Sequence, residues 1–517
     1  MKTFIQIITV VLVLITIQPI CAQPGSLDLT FGTDGIVISP LTIQSEQGYK
    51  VVVQPDGKIL LAGFQEENNI GDYIIARYNA DGSLDNNFGN GGFAVIDGGT
   101  DSEYAYDMVL QDDGKVLLGG SAYNQYTTVD DFALLRLNAD GSPDNTFGTS
   151  GIVMTDINGE FDNAFSMALQ DDGKILLAGH TYISGKRNAC VVRYNTDGSL
   201  DAAFGSGGIA MTSIGCITDR TRDIGLQQDG KIVICGYIND GADDHTFVCR
   251  FNADGTLDQS FANNGIATLD IGGNDDKLWA LCILPGGKIL VGGYTRNSSN
   301  ENDYLMIRYL TDGSLDNSFG SNGIKMHNFN STDIIIDMIL QADGKILTAG
   351  GAFVFELARF LENGDADIGF GNNGIVHTNI NTGSDFSQTL CLQDDGKIIV
   401  AGHSKENSEY DFSLARYHAE EGGFIDDQDV TFGAINVYPN PAINNITVEY
   451  QISSHEKISI GLHAIDGKNM ATLLDDQSRQ AGSHTENLTL PEGLATGIYL
   501  LQISSSQGVV VFRLEVN

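Results

Sequence analysis

The segment GSLDNNFGNGG at residues 82–92 decides the fold, because near copies of it recur along the chain. Copies read GSLDAAFGSGG at 198–208 and GSLDNSFGSNG at 313–323. The phenylalanine of the motif occurs seven times, as Phe31, Phe88, Phe147, Phe204, Phe261, Phe319 and Phe370. A second motif, close to Asp-Gly-Lys, ends at Lys58, Lys115, Lys174, Lys231, Lys288, Lys345 and Lys397. Both motifs recur about every 57 residues, so the chain is predicted to be an array of seven similar units.

One unit is predicted to fold into four strands. In the first unit they cover 49–54, 58–63, 72–78 and 93–96, which are rich in apolar and β-branched residues. The Asp-Gly pair between the first two strands favours a tight hairpin turn, because it tolerates positive φ. No segment of the unit has the periodicity of an amphipathic helix. Repeated sets of four short strands are typical of β-propeller blades, so the predicted fold class is all-β.

The last unit is predicted to lack its fourth strand. Strands are expected at 387–392, 397–402 and 411–417, after which the chain continues as YHAEEGGFIDDQD. The missing piece stands near the start, as GSLDLTFGTDGIVI at 25–38. We therefore expect the N-terminal strand to complete the seventh blade and to close a seven-bladed β-propeller.

These motifs resemble those of a known repeat family. Over residues 24–417 they are similar to the delta-60 repeat family of β-propellers, a resemblance that implies the fold but no general activity. The C-terminal part, from INVYPNP at 435–441 to GIYLLQI at 497–503, resembles the sorting domains of type IX secretion, of the type A-like kind. That resemblance implies passage through the periplasm, contact with the type IX secretion machinery, and a secreted or outer-surface location.

The chain is accordingly divided into four parts. Residues 1–22 are predicted to be a signal peptide, residues 23–418 the propeller, residues 419–434 an acidic linker, and residues 435–517 a small β-sandwich. Cys21 also suits a lipoprotein anchor, but the bulky Ile20 before it favours simple cleavage.

The composition narrows the class of partner. Lys+Arg 28 against Asp+Glu 67 gives a net charge of −39, which repels nucleic acid and anionic membranes. We therefore expect a monomer with no nucleic-acid partner. The cysteines after Cys21 form no CxxC motif and no close pair, and Cys282 and Cys391 stand in apolar runs, so we expect buried core residues rather than disulfides or metal ligands.

The two faces of the predicted propeller differ in chemistry. The face with the Asp-Gly hairpins is nearly the same in every unit, whereas the loops after the second strands differ in each. A binding site needs different chemistry on different blades, so we place the ligand site on the variable face. The candidate ligand-binding residues are rings at the ends of second strands together with the only tryptophan: Phe64, His180, Tyr237, Tyr294, His403 and Trp279. The two histidines are expected in loops, on blades too far apart to share a metal ion.

Two functions stay open. The sequence contains no nucleophile elbow, phosphate loop or histidine cluster, so we predict no catalytic residue, metal or cofactor. This favours a non-catalytic binding or adhesion module for an unknown glycan or protein ligand. The alternative is a secreted carbohydrate-active lyase or hydrolase whose carboxylates converge at the channel mouth.

The repeated turns carry charged residues that have a structural interpretation. NADGSLD at 79–85 leaves a calcium loop possible, but Asx-turn hydrogen bonds explain the same residues and are preferred. Arg77 and Asp85 recur as a pair in the units, and a charge repeated in equivalent places is expected to be a clamp of the scaffold.

Overall fold

The computed structural model describes two separate compact units, Pro24–Ala419 and the part of the chain from Glu420 to Asn517. The described residues are 23–420 and 432–516, apart from 43, 68–69, 100–101, 125, 127, 215–216, 273, 330–332, 352, 407–408, 439–441, 453, 465–468, 492, 495–496 and 506–508. The predicted signal peptide, with Cys21, lies outside them, as does most of the predicted linker.

The described residues of the first unit form five four-stranded antiparallel sheets and one eight-stranded sheet. The eight-stranded sheet consists of two four-stranded antiparallel groups linked by one parallel bridge, and the seven four-stranded groups are called sheets 1 to 7 below. Sheet 1 contains β2 (Ser45–Val53), β3 (Ile59–Glu67), β4 (Ile70–Tyr78) and β5 (Phe93–Ile96); sheet 2 contains β6 (Glu103–Leu110), β7 (Val116–Asn124), β8 (Val129–Leu137) and β9 (Ile152–Thr155). Sheet 3 contains β10 (Asp162–Leu169), β11 (Ile175–Ile183), β12 (Lys186–Tyr194) and β13 (Ile209–Thr212); sheet 4 contains β14 (Thr218–Leu226), β15 (Ile232–Asn239), β16 (Asp244–Phe251) and β17 (Ile266–Leu269). Sheet 5 contains β18 (Asp276–Ile283), β19 (Ile289–Arg296), β20 (Asn302–Tyr309) and β21 (Ile324–His327); sheet 6 contains β22 (Ile335–Leu340), β23 (Ile346–Gly350), β24 (Phe355–Phe360) and β25 (Ile375–Thr378). Sheet 7 contains β26 (Asp385–Leu392), β27 (Ile398–Glu406), β28 (Glu409–Tyr417) and, from the start of the chain, β1 (Ile36–Ser39).

The N-terminal strand completes the last sheet. β1 pairs antiparallel with β28, with Ile36 opposite Ala415 and Ser39 opposite Phe412. The pairing predicted between the two ends of the repeat array is therefore confirmed.

Burial explains why the two middle strands of each sheet are so apolar. In sheet 2, the seven residues from Val116 to Ala122 are all buried, because both faces of the sheet pack against a neighbouring sheet. Seven hydrophobic clusters each combine side chains of two successive sheets. One of these clusters joins Leu414 of sheet 7 to Leu61 of sheet 1. Sheets 3 and 4 also share one backbone bridge, Arg187 to Thr218, but no described sheet closes on itself.

The first strand of each sheet has a different pattern. In β6 buried and half-buried residues alternate along the first part of the strand, which is expected where one face packs and the other meets an open space. This strand is called the inner strand below. In the first unit, the only helical element among the described residues is a 3-10 turn at Pro285–Gly287.

The second unit is also made of strands. Its strands are β29 (Phe432–Tyr438), β30 (Asn445–Ile452), β31 (Glu456–Ala464), β32 (Asn469–Arg479), β33 (Gly482–Thr489), β34 (Gly497–Ser504) and β35 (Val509–Val516). They form two antiparallel sheets, in the orders β29-β30-β33 and β32-β31-β34-β35. Buried side chains of both sheets, such as Val448 and Leu501, belong to one hydrophobic cluster.

The described cysteines are reduced. Cys190, Cys235 and Cys249 are free and buried, and Cys282 and Cys391 are free and half-buried, while Cys216 lies outside the described residues. We find no helix with the length and apolar character to span a membrane in the described part of the chain.

Candidate functional site

A cavity of about 440 Å³ lies among the inner strands of the first unit. Its lining residues come from all seven sheets: Tyr49, Lys50, Tyr106, Asp107, Phe165, Ser166, Arg222, Asp223, Trp279, Ile336, Asp337 and Gln388. The inner strands of all seven sheets therefore line one common space. A volume of this size suits a small organic ligand.

A β-bulge in each inner strand shapes the cavity wall. The register shifts by one residue at the same place in every inner strand, for example between Gly48 and Lys50. The unpaired residues at these shifts are Tyr49, Tyr106, Phe165, Arg222, Trp279, Ile336 and Gln388, and all seven line the cavity. A bulge re-aims the side chain of its extra residue, so the scaffold presents one variable side chain per sheet at one level.

A glycine on the neighbouring strand makes room for each bulge. At Gly63 and Gly120, a Cβ atom would collide with the carbonyl oxygen of Gln47 or Tyr104 across the strand pair. The other five sheets have the same collision, at Gly179, Gly236, Gly293, Gly350 and Gly402. The glycine that recurs within each second strand is therefore required by the bulge opposite to it.

Aromatic rings form one part of the wall. The ring centroids of Tyr49 and Tyr106 are 5.3 Å apart, and those of Tyr106 and Phe165 are 5.2 Å apart and stacked. On the other side of Phe165, the Arg222 guanidinium lies 4.7 Å from its ring centroid and 4.0 Å from that of Trp279. The wall thus offers flat apolar faces interrupted by one cation, which suits a ligand with stackable faces and polar groups.

Four charged residues form a second part of the wall, and we call them the polar cluster: Lys50, Asp107, Asp223 and Asp337. The ammonium of Lys50 lies 3.8 Å from Asp107 and 3.6 Å from Asp337. The carboxylates of Asp107 and Asp223 each also accept a hydrogen bond from the backbone of the next inner strand, at Met167 N (2.7 Å) and Leu281 N (2.6 Å). The polar cluster therefore both ties the inner strands together and lines the cavity.

The hydroxyl of Ser166 connects two of these carboxyl groups. Its Oγ atom lies 2.9 Å from Asp107 Oδ2 and 2.8 Å from Asp223 Oδ1. One hydroxyl carries one proton and can donate to one carboxylate at a time. The second contact is a good hydrogen bond when one of the two carboxyl groups holds a proton.

Burial supports such a proton. It raises the pKa of Asp223 to about 7, and it raises the pKa of Asp107 as well, although Lys50 opposes both shifts. For Lys50, burial alone would lower the pKa, but the carboxylates of Asp337, Asp107 and Asp223 outweigh it and raise the pKa. The polar cluster can thus accept hydrogen bonds from ligand hydroxyls and can exchange a proton near neutral pH.

The predicted site residues lie in and behind this wall. Trp279 lines the cavity, while the five residues on second strands are nearly fully buried, with exposed fractions of 3–6%: Phe64, His180, Tyr237, Tyr294 and His403. Four of these five contact a cavity-lining ring, as Phe64 and His403 do with Tyr49, His180 with Phe165, and Tyr237 with Trp279. They support the wall from behind, and their contact with a ligand stays a prediction.

The expectation that the histidines lie in loops is wrong. His180 is in β11 and His403 is in β27, and both side chains are buried. The strands continue past the Ala-Gly pair because the second and third strands pair over nine residues in these sheets. Burial lowers the pKa of His403 to about 4, so this ring is neutral at physiological pH.

The sequence reasoning missed most of the cavity-lining side chains. Tyr49, Tyr106, Phe165 and Arg222 line the cavity but were not among the predicted ligand-binding residues. Each stands at the equivalent place of its unit, in the middle of an inner strand, and the residue type at this place varies from unit to unit. This variation within an otherwise repeated strand is the signal in the sequence that could have identified them.

The repeated arginines form the expected clamp. In all seven sheets an arginine Nε atom donates to an aspartate at 2.8–2.9 Å, as in Arg77 to Asp85 and Arg416 to Asp28. In the NADGSLD turn, Asp81 accepts hydrogen bonds from the backbone N–H and the hydroxyl of Ser83, as the Asx-turn interpretation predicts.

Three other groups of side chains bring possible metal ligands within 4.8 Å of one another in the described residues. They are Asp72 with Asp97 and Glu103, Asp131 with Asp156 and Asp162, and Asp240 with Asp243 and His245. None of them includes the NADGSLD turn or the cavity-lining residues.

Two protein families match the sequence. The family described as "Domain of unknown function (DUF5122) beta-propeller" matches residues 54–88, 111–147, 170–204, 227–261, 284–319, 341–370 and 393–422. The family described as "Secretion system C-terminal sorting domain" matches residues 436–517. The chain carries seven repeats of this β-propeller family and a secretion sorting domain. Both resemblances drawn from the motifs are confirmed.

The sorting domain indicates the location of the protein. It marks the protein for export, so the protein is secreted or lies on the outer surface. It also implies an interaction with the type IX secretion machinery. No curated protein matches the sequence.

Three solved structures are similar at low identity. PorZ of Porphyromonas gingivalis, described as an essential bacterial surface component of the type-IX secretion system, is 12% identical with a TM-score of 0.41, over 91% of this chain and 59% of that one. The polysaccharide lyase Uly1 is 12% identical with a TM-score of 0.42, over 75% and 92%. Sqt1 from Chaetomium thermophilum is 10% identical with a TM-score of 0.38, over 92% and 97%. The chain thus spans 59% of the length of PorZ.

Proposed function

We propose that this exported protein is a non-catalytic binding or adhesion module that holds a glycan or protein ligand in its central cavity. The observation that carries the proposal is the set of bulged residues, which places seven different positions of a repetitive scaffold around one space. Tyr49, Tyr106, Phe165 and Trp279 supply flat faces for a sugar ring or an aromatic side chain. The polar cluster supplies hydrogen-bond acceptors and one cation for ligand hydroxyls.

The proposal includes the architecture around the cavity. Residues 23–418 form a closed seven-bladed propeller, in which sheet 7 packs on sheet 1 and the N-terminal strand completes the ring. Residues 419–434 are a linker, and residues 435–517 are a β-sandwich built from the two sheets that share one core. The protein acts as a monomer, because the site needs no second copy to be complete.

A binding screen tests this function. The chain from residue 23 onward is presented to an array of glycans and bacterial-surface polymers, and bound ligands are titrated by calorimetry. Tyr49→Ala and Trp279→Ala are each expected to weaken binding about five- to thirtyfold, because each removes a stacking face worth about 1–2 kcal/mol. Tyr126→Ala is the matched control, since Tyr126 is 88% exposed and does not line the cavity. Binding that survives both cavity substitutions but fails in the control would refute the proposed site.

The alternative, a secreted carbohydrate-active enzyme, rests on one observation. Asp223 has a pKa raised to about 7 by burial and shares the Ser166 hydroxyl with Asp107, so it can hold a proton as a general acid does. Release of reducing ends or unsaturated sugars from a bound polysaccharide, abolished by Asp223→Asn, would favour the enzyme over the binding module.

A further inference from the structure

Three arginines lie together beside the cavity, and we call them the arginine cluster: Arg187, Arg220 and Arg222. Arg222 is the bulged residue of β14, and Arg220 precedes it by two positions on the same strand. Arg187 of β12 is backbone-paired with Thr218, which brings sheet 3 against the start of β14. The Tyr237 hydroxyl accepts hydrogen bonds from Arg220 Nη1 at 3.4 Å and from Arg222 Nη2 at 3.1 Å.

The arginine cluster is not neutralised by the described residues around it. The repeated clamp arginines all bind an aspartate, and Arg296 on neighbouring sheet 5 binds Asp275 at 2.7 Å. In contrast, the described partners of the arginine cluster are a tyrosine hydroxyl and aromatic rings. The Nε atoms of Arg187 and Arg222 are buried and have no hydrogen-bond partner among the described residues. A buried guanidinium N–H without an acceptor lowers the stability of the folded protein. Arginines without a carboxylate partner are also unexpected in a chain whose net charge is −39.

The surrounding rings orient these guanidinium groups without cancelling their charge. Arg222 lies 4.0 Å from the Trp279 ring centroid, and Arg187 lies 4.8 Å from that of Tyr182. Stacking on rings holds the planar fork in place and leaves its N–H edges available. Burial and the nearby Arg220 lower the pKa of Arg187, and the three arginines contribute to the depressed pKa of His180 after burial. These shifts fit three positive charges placed close together.

We propose that the arginine cluster binds the acidic group, a carboxylate or a sulfate ester, of an anionic sugar whose ring stacks on the cavity wall. Arginine forks match both oxyanions, because two N–H groups can donate to two oxygens in one plane. The inference rests on the proposed function of the cavity and adds the class of ligand. The acidic surface elsewhere repels polyanions, so the cluster selects for one acidic group placed beside the stacking faces.

The only tryptophan of the chain provides a direct measurement, since Trp279 lies against Arg222. The chain from residue 23 onward is titrated with glucuronate, glucuronate methyl ester, glucose, glucose 6-sulfate and inorganic sulfate while Trp279 fluorescence is recorded. A saturable change is expected with glucuronate or glucose 6-sulfate, and a change at least tenfold weaker with the methyl ester and with glucose. The sugar acid that binds more tightly identifies the acidic group as a carboxylate or a sulfate ester.

Variants separate the cluster from general charge effects. Arg187→Gln and Arg220→Gln are expected to weaken binding of the acidic sugar tenfold or more, whereas Arg296→Gln, which removes a paired arginine nearby, leaves it unchanged. Equal binding of glucuronate and its methyl ester, no saturable change with any acidic sugar up to about 100 mM, or full binding by both cluster variants would overturn the inference. If neutral sugars change the Trp279 fluorescence and acidic sugars do not, the cavity is still a binding site, and only the inference of an acidic ligand is wrong.

Discussion

At the residue scale, a buried acid marks the start of every inner strand. The seven residues are Glu46, Glu103, Asp162, Asp219, Asp276, Asp333 and Asp385, and each is at most 1% exposed. In Asp219 the Oδ2 atom accepts the backbone N–H of Ile214 at 2.9 Å, and Asp276 accepts that of Ile271 in the same way. These acids therefore fix the loop that enters each sheet, at the cost of burying a carboxyl group.

Asp219 gives a prediction for pH dependence. Burial raises its pKa to about 6 in the folded protein, against about 3.9 in an unfolded chain. Between these values the folded state keeps a proton that the unfolded state releases, so the free energy of unfolding falls as the pH rises from about 4 to 6. The side chain of the Asp219→Asn variant cannot ionise, so the variant escapes this loss. We expect the free energy of unfolding of the variant, minus that of the unmodified protein, to be about 1–2 kcal/mol larger at pH 8 than at pH 5.

Thermal melts at the two pH values check this expectation. Asp197→Asn is the control, because Asp197 is in an exposed turn where hydrogen bonds to Ser199 lower its pKa, so it is ionised at both pH values. A difference between Asp219→Asn and the unmodified protein that is the same at pH 5 and pH 8 would contradict the prediction.

At the element scale, one clamp joins each outer turn to the next sheet. Arg193 donates from Nε to Asp201 at 2.8 Å and from Nη1 to the Ala253 carbonyl of the next sheet at 2.6 Å. Its guanidinium also lies 4.4 Å from the Phe204 ring centroid. The same three contacts recur around the first unit, so the clamp is a feature of the repeat and not of the ligand site.

Two substitutions beside Asp201 compare the stability contributed by a buried cation with that contributed by an exposed one. Arg193→Ala is expected to lower the free energy of unfolding by about 3–5 kcal/mol, because it leaves the buried Asp201 carboxylate without its main cation. Lys174→Ala is the matched control: Lys174 binds the same carboxylate at 3.1 Å, but its side chain is 31% exposed, so a loss of less than about 1 kcal/mol is expected. Urea unfolding of both variants measures the difference, and equal losses would show that the clamp has no special role.

At the scale of the whole first unit, the two ends of the repeat array meet in one sheet. Asp28 and Phe31 of the N-terminal segment complete the clamp of Arg416, and Phe31 is fully buried. The Gly25 backbone N–H donates to the His418 carbonyl at 2.7 Å, so the ends of the segment and of β28 are already adjacent. In the other sheets the fourth strand is joined to the third by the chain itself. In sheet 7 hydrogen bonds and packing alone hold the fourth strand in place.

Deletion of residues 23–41 tests this closure. The deletion removes β1 and two buried partners of Arg416, so we expect the melting temperature to fall by about 10 °C or more. The control is a circular permutant of the first unit in which residues 24–41 follow residue 419. It keeps every contact of the segment and is expected to melt within a few degrees of the unpermuted unit. An unchanged melting temperature after the deletion would show that β1 does not stabilise the unit.

Much of the fold could be predicted because local chemistry repeats with the units. The Asp-Gly turns, the apolar second and third strands and the phenylalanine of the turn motif all act within one unit or between neighbours, so the motif spacing located them. The candidate site was predicted less well. Trp279 lines the cavity, but Phe64 and Tyr237 lie behind it, since the residue that faces the cavity is decided by the bulge.

The sequence by itself determined the number of units, their four strands, the return of the N-terminal strand and the sorting tail, because each depends on patterns that repeat or stand next to one another. Only the tertiary structure decided which side chains share the cavity. Tyr49, Arg222 and Trp279 belong to three different sheets and are far apart in sequence, and a one-residue register shift turns each of them toward the same space. Such a shift reverses which face a side chain occupies, and it is fixed by the packing of neighbouring strands rather than by the local sequence.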